Sequence, residues 1–151
     1  MDETEIPLGR QIAVAARLWR AELDRRLQSL DLSQARFVLL VHLTEAHGPI
    51  AQNDLAERAG ISGPTLVRHL DQLQNHGLVE RQDAPDDRRV KHVCLTRKGR
   101  MRCAAAEKIA GRLRDELVAP FPEDLVRQTQ NMLQNLVISL ESMRAGPSIH
   151  E

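Results

Sequence analysis

Apolar positions recur at intervals of three and four from the start of the chain. Between Leu8 and Leu30 they are Leu8, Ile12, Ala15/Ala16, Trp19, Leu23, Leu27 and Leu30, one face of a long helix. Val14 and Leu18 lie off that stripe, so the apolar surface is broader than one core contact requires. The segment reads equally as an ordinary buried helix and as a helix packed on a second chain. Ser33 then caps a helix from Ala35 to His47, carrying Phe37, Val38, Leu40, Val41 and Leu43 and stopped by Gly48-Pro49. Ile50 to Gln52 suits a very short strand.

The next stretch organises the chain. Gln52 to Arg58 is a short helical run closed by Gly60. Ser62 is the expected N-cap of a second helix, with Pro64 in its first turn, Leu66, Leu70 and Leu73 at helical spacing, and Gly77 at its end. Two short runs, Leu78–Gln82 and Val90–Thr96, flank a polar loop, Asp83 to Arg89. Thr96 is then the expected cap of a helix reaching about Val118, with Met101, Ala105, Ile109, Leu113 and Leu117 at every fourth position. Pro120 and Pro122 break it. A last helix, about Glu123 to Met143, carries Leu125, Met132, Leu133, Leu136, Val137, Leu140 and Met143.

A helix-turn-helix followed by a hairpin is a winged helix. The expected fold class is therefore mainly α (α+β). A winged helix-turn-helix DNA-binding region at 31–96 is flanked by long N- and C-terminal dimerisation helices at 8–30 and 97–143. Residues 1–7 read as a disordered tail and 144–151 as another. The flanking helices carry more apolar surface than a small wedge-shaped core absorbs, which points to a two-fold homodimer.

Composition sharpens this picture. Of 151 residues, 42% are hydrophobic and 28% charged, as in a globular chain. Aromatics are 2% with no Tyr, which disfavours a protein that stacks single-stranded bases. The net charge is zero, yet Ser62 to Arg102 holds nine Lys/Arg against five Asp/Glu. A basic module on a neutral scaffold is consistent with duplex binding. The acidic N-terminus has no apolar stretch of the secretory kind and no run approaches membrane length. Two Cys suggest a reducing compartment without a structural disulfide. The expected location is cytoplasmic, nucleoid-associated through DNA.

In a winged helix the N-terminal part of the second helix of the turn leads into the major groove. Here it presents Ser62, Pro64, Thr65, Arg68 and, another turn on, Gln72. Arg forks onto guanine, Gln onto adenine, hydroxyls onto bases or phosphates, and Pro64 offers an apolar face to a thymine methyl. Ser62 serves as a cap in any case, which does not exclude a phosphate. At the wing, Asp86-Asp87-Arg88-Arg89 places two guanidiniums where a narrow minor groove attracts Arg. An adjacent carboxylate can hold one in a fixed fork. Alone, such a turn would read as self-neutralised and solvated; the preceding helix-turn-helix favours function.

The run LVRHLDQLQNHGLVERQDAPDDRRVKHVCLT resembles the winged-helix signature of the MarR family of bacterial regulators. RLWRAELDRRLQSLDLSQARFVLL resembles its SlyA-like subgroup. The likeness spans about Leu8 to Leu140. It implies a homodimeric regulator, most simply a repressor, on a palindromic double-stranded operator, released by a small phenolic or aromatic carboxylate effector. It implies Arg89 as the minor-groove arginine with Asp87 as its holder, and Pro64, Thr65 and Arg68 toward the major groove. It also implies an effector site at Arg20, Phe37, Val41, Arg68 and His69, with Trp19 beside them. Phe37 and Val41 depart from the subgroup, which can carry Trp and an imidazole there, and make the site more apolar. Phe37, Val41 and Trp19 read equally as plain core. A guanidinium at Arg20 needs an acid, a carbonyl or a ligand as partner, and Asp24, four residues on, is the local candidate.

Other classes fit less well. The six His show no metal-ligand spacing, and there is no CxxC, phosphate-binding Gly loop or nucleophile elbow. No catalytic residue, metal or cofactor is expected. A thiol-based redox regulator is the rival reading: Cys94 falls in the second wing strand, and Cys103 on the next helix is flanked by Arg100 and Arg102, which could lower its pKa. A winged helix used only for protein contact would leave Arg88 and Arg89 without purpose.

Overall fold

The computed structural model describes residues 6–145. Its elements are α1 (Leu8–Leu27), α2 (Gln34–Glu45), β1 (Ile50–Ala51), α3 (Gln52–Ala59), α4 (Gly63–Asn75), β2 (Val79–Asp83), β3 (Lys91–Leu95), α5 (Arg97–Val118) and α6 (Glu123–Ala145). The strands form one antiparallel sheet in the order β1-β3-β2, with Ile50 opposite Val93 and Arg81 opposite Val93 from the other side. This is a winged helix: α2, α3 and α4 pack with the small sheet. No described helix is long and apolar enough to cross a membrane.

Side chains and left-handed residues set most boundaries. The Ser33 hydroxyl accepts from Arg36 N, and Ser62 Oγ accepts from Thr65 N, so both cap their helices as the sequence predicts. Gly60 (φ 64°) and Gly77 (φ 70°) end α3 and α4 in the left-handed region. In each case two backbone bonds close the end: Gly60 N to Glu57 O and Ile61 N to Ala56 O, then Gly77 N to Gln74 O and Leu78 N to Leu73 O. This is the Schellman arrangement. The same device recurs with Asp31 (φ 53°), where Leu32 N reaches Leu27 O. The first helix therefore stops at Leu27, short of Leu30. A single 3-10 turn, Gln28–Leu30, leads to the Asp31 corner.

Other expectations shift by a residue or two. α2 stops at Glu45 because His47 adopts φ 54° ahead of Gly48-Pro49. The wing strands begin one residue later than the hydrophobic runs suggest, and α6 runs through Arg144 and Ala145. The remainder of the expected tails, 1–5 and 146–151, lies outside the described residues.

Two compact units divide the chain after Gly111. The first, through Gly111, holds a continuous core: Leu27, Leu39, Leu40, Leu55, Leu66, Leu70, Leu73, Leu78, Val79 and Val93 are all buried. In the second, from Arg112 on, Leu113 is buried, whereas Leu117, Phe121, Leu125, Met132, Leu133, Val137, Ile138, Leu140 and Met143 are exposed. α1 likewise leaves Leu8, Ile12, Val14, Leu18 and Trp19 exposed while burying Leu23 and Leu27.

The expected α5 stripe divides: Leu113 is buried, Ala105 and Ile109 are half-buried, and Met101 and Leu117 are exposed. The buried positions are Gly99, Cys103, Ala106 and Leu113. Small residues allow the closer approach. A Cβ on Gly99 would lie 1.9 Å from the Leu78 carbonyl oxygen. Around this junction Thr96 N donates to Leu78 O (3.1 Å), Thr96 Oγ1 to Gly77 O (2.6 Å) and Gly99 N to Thr96 Oγ1 (2.9 Å). Lys98 Nζ donates to His76 O (2.8 Å). Thr96 thus caps α5, as expected, and also ties it to the end of α4.

Candidate nucleic-acid interface

Burying Leu66, Leu70 and Leu73 forces the opposite side of α4 outward. Pro64, Arg68 and Gln72, spaced by four, are all exposed, as are Ser62 and Gly63 at the helix start. Thr65 is half-buried and its hydroxyl accepts from Ser62 Oγ at 2.9 Å, so the cap is a small hydroxyl pair. Val67, three residues after Pro64, is 38% exposed. The sequence reading omitted it, although its i+3 position after Pro64 was the available signal. An exposed apolar side chain of this kind suits a thymine methyl.

The wing is tied at several levels. Ala84 N donates to Val90 O (2.8 Å) and Val90 N to Asp87 O (3.0 Å), closing the loop, while Lys91 pairs with Asp83 beneath it. At the tip Arg89 donates three times to Asp87: Nε to Oδ1 (3.1 Å), a terminal nitrogen to Oδ2 (3.2 Å) and the backbone N to Oδ1 (3.0 Å). The side-chain pair is a bidentate fork, the pairing expected from the sequence. The Arg89 side chain is nonetheless 91% exposed. These bonds, the side-chain ones foremost, hold the Asp87 carboxyl below its ordinary range. Arg88 and Asp86 are exposed, and Arg88 has no ion pair among the described residues.

The expected effector residues are only partly brought together. Burial first, then the charges of Arg36 and Arg68, lower the pKa of the half-buried His69 imidazole. His69 and Arg68 on α4 therefore share an electropositive neighbourhood with Arg36 on α2, a residue the sequence reading omitted. Phe37 is buried and Val41 half-buried on α2. Trp19 and Arg20 stand exposed on α1. Asp24, the local candidate partner of Arg20, is not paired with it. Asp24 Oδ1 instead accepts from Gln34 N at 2.5 Å, closing the first turn of α2 across the Asp31 corner. Arg20, being exposed, does not need the partner that a buried guanidinium would.

The thiols also correct an expectation. Cys103 is 2% exposed, with Thr44 Oγ1 3.6 Å from its sulfur. Burial raises its pKa, against a smaller lowering by Thr44, so the flanking Arg100 and Arg102 do not activate it. Both arginines are engaged elsewhere, with Leu95 O and Leu30 O respectively. Cys94 is half-buried, its sulfur 3.9 Å from Glu80 O.

Comparison with known proteins follows the same lines. Residues 30–90 match the model of the MarR family. The chain is similar to the crystal structure of transcriptional regulator PA3341, at 40% identity over 90% of this chain and 99% of that one, with a TM-score of 0.78. It is similar to a mutant form of MarR from E. coli complexed with operator DNA, at 30% identity over 87% and 94%, TM-score 0.78. A further MarR crystal structure is 27% identical over 96% and 98%, with a TM-score of 0.84.

Proposed function

This chain belongs to the MarR family, and from that premise we propose that it is a homodimeric repressor of transcription acting on a palindromic duplex operator. The observation that carries the reading is one exposed α4 face joined to a wing whose arginine is already forked. Pro64, Arg68 and Gln72, with Ser62 and Thr65 at the helix start, are assigned to the major groove. Arg88 and Arg89 are assigned to the minor groove, and Asp87 to holding Arg89. That a similar E. coli protein is complexed with operator DNA supports duplex DNA as the partner. Residues 31–96 form the reading region. The exposed apolar faces of α1 and α6 support dimerisation through 8–30 and 97–143. Within the family the first-helix segment favours the SlyA-like subgroup. The site of action is the cytoplasm, at the nucleoid.

The test uses a duplex enriched from a random pool by the full-length chain. Arg89→Ala should weaken its binding by about 1.5–3 kcal/mol, the worth of a charged hydrogen bond. The loss should be largest with A·T-rich flanks, where the minor groove is narrow. Equal affinity for wild type and variant would show that the wing does not insert. The fork also predicts the pH profile. A carboxyl with a lowered folded pKa contributes fully above its ordinary value and loses its contribution as pH falls through the lowered one. The A·T preference should therefore stay flat from about pH 8 to about pH 5.

An aromatic carboxylate is the proposed effector. Arg20, without an ion pair among the described residues, offers the charge partner, and Arg68 with neutral His69 a second polar wall; Trp19, Phe37 and Val41 supply apolar contact. A ligand wedged there would alter the spacing of two α4 helices that must sit about 34 Å apart to read one palindrome. Millimolar salicylate should release the wild type from DNA and release Arg20→Ala less. No release of either, or equal release of both, would exclude this site.

A further inference from the structure

We propose that Arg81 is a positioning residue that fixes the wing's attitude to the reading helix; the inference rests on the DNA-binding function proposed above. Arg81 lies in β2 on the same side as buried Val79, opposite Val93. Its stem is covered there, and 23% of its side chain remains exposed. Its head crosses to α4. A terminal nitrogen donates to Asp71 Oδ1 at 2.5 Å, and Nε donates to Gln74 Oε1 at 2.7 Å. Asp71 and Gln74 are three residues apart on α4, so one planar guanidinium spans both.

The position of this tie gives it its function. α4 and β2 are joined in sequence only by His76, Gly77 and Leu78, and Gly77 has the left-handed backbone of a tight corner. Such a corner sets where β2 starts but holds the strand at one end only. Arg81 adds a second attachment further along β2, toward the wing tip. Asp71 adjoins Gln72, a proposed base reader, and the strand continues to the loop that carries Arg89. Arg81 itself is committed within the chain and half-buried, so it is poorly placed as a phosphate contact. Helix and wing then meet DNA as one rigid reading unit, with the wing's orientation set before binding.

Simple electrostatics and this positioning role predict opposite results at Asp71. Removing a carboxylate beside DNA should strengthen binding if charge alone matters, whereas removing it from the clamp should weaken binding. The experiment compares full-length wild type, Arg81→Gln and Asp71→Asn on a duplex enriched by the wild type. Affinity, minor-groove hydroxyl-radical protection, guanine N7 protection and thermal melting are measured together. Both variants should bind roughly tenfold more weakly, as coupled neighbours do. Both should lose protection beneath the wing while keeping guanine protection beneath α4, with melting little changed. Tighter binding by Asp71→Asn, or wild-type footprints from both variants, would overturn the assignment. If the wild type enriches no duplex, the DNA-binding function fails, and the role of Arg81 with it.

Discussion

Gly99→Ala should destabilise the fold by about 2–3 kcal/mol, the cost of forcing one methyl into a packed site. Its melting temperature should fall by roughly 5–10 °C for a chain of this size. In an open helix the same substitution would stabilise by up to about 1 kcal/mol, because Ala is the better helix former. The site decides the sign. The new Cβ would stand 1.9 Å from Leu78 O and 2.9 Å from Leu78 C, so backbone rather than a flexible side chain would have to move. Leu78 O also accepts from Thr96 N, so moving it breaks the joint between the end of α4 and α5. Gly111 provides the control. It lies in the same helix, a Cβ there has nothing within 4 Å, and Gly111→Ala should melt at or above the wild-type temperature. Calorimetry on both variants separates the cases; equal stabilisation of both would mean that α5 does not press on Leu78.

Ending the chain after Pro120 should leave monomers and lower operator affinity by roughly 10²–10⁴-fold, the advantage of binding two linked half-sites. α6 is the reason. Leu125, Met132, Leu133, Val137, Ile138, Leu140 and Met143 are all exposed, far more apolar surface than a lone helix needs. The core residues Leu40, Leu55, Leu66, Leu70, Leu73 and Val93 all precede the cut. Far-ultraviolet circular dichroism should therefore still report a folded winged unit. In the full chain, Leu133→Glu with Val137→Glu should produce the same dissociation without deletion. Sedimentation equilibrium at micromolar concentration is the measurement. A monomeric wild type, or a dimer that survives either change, would remove dimerisation from the proposed function.

Sequence signals worked best where local chemistry decides the structure. Ser33, Ser62 and Thr96 cap the helices that follow them, and Gly60 and Gly77 close the two helices of the turn. The Asp87–Arg89 fork joins residues two apart in one loop and was legible for the same reason. Reading failed where the partner lies far along the chain. Helical spacing matched Arg20 with Asp24, but Asp24 turns to the backbone of Gln34 ten residues away. On α5, periodicity picked out Met101, Ala105, Ile109, Leu113 and Leu117 without reporting what covers each. Leu113 is buried and Met101 and Leu117 are exposed, while the other buried positions are the small residues Gly99, Cys103 and Ala106. The Arg81 tie and the exposure of Val67 likewise depend on how β2 and α4 lie together.

The wing fork also bears on how the chain searches for its site. Asp87 largely cancels the charge of Arg89 at a distance, and the whole chain carries no net charge. Beyond a Debye length of about 8 Å at physiological salt, Arg89 therefore adds little to the pull toward arbitrary DNA, which is left to the other basic residues of the Ser62–Arg102 stretch. Close to a groove the guanidinium still presents donors on a frame already fixed, so few side-chain rotations are lost on contact. Encounters with wrong sequences should be brief, and discrimination should reside in the dissociation rate rather than the arrival rate.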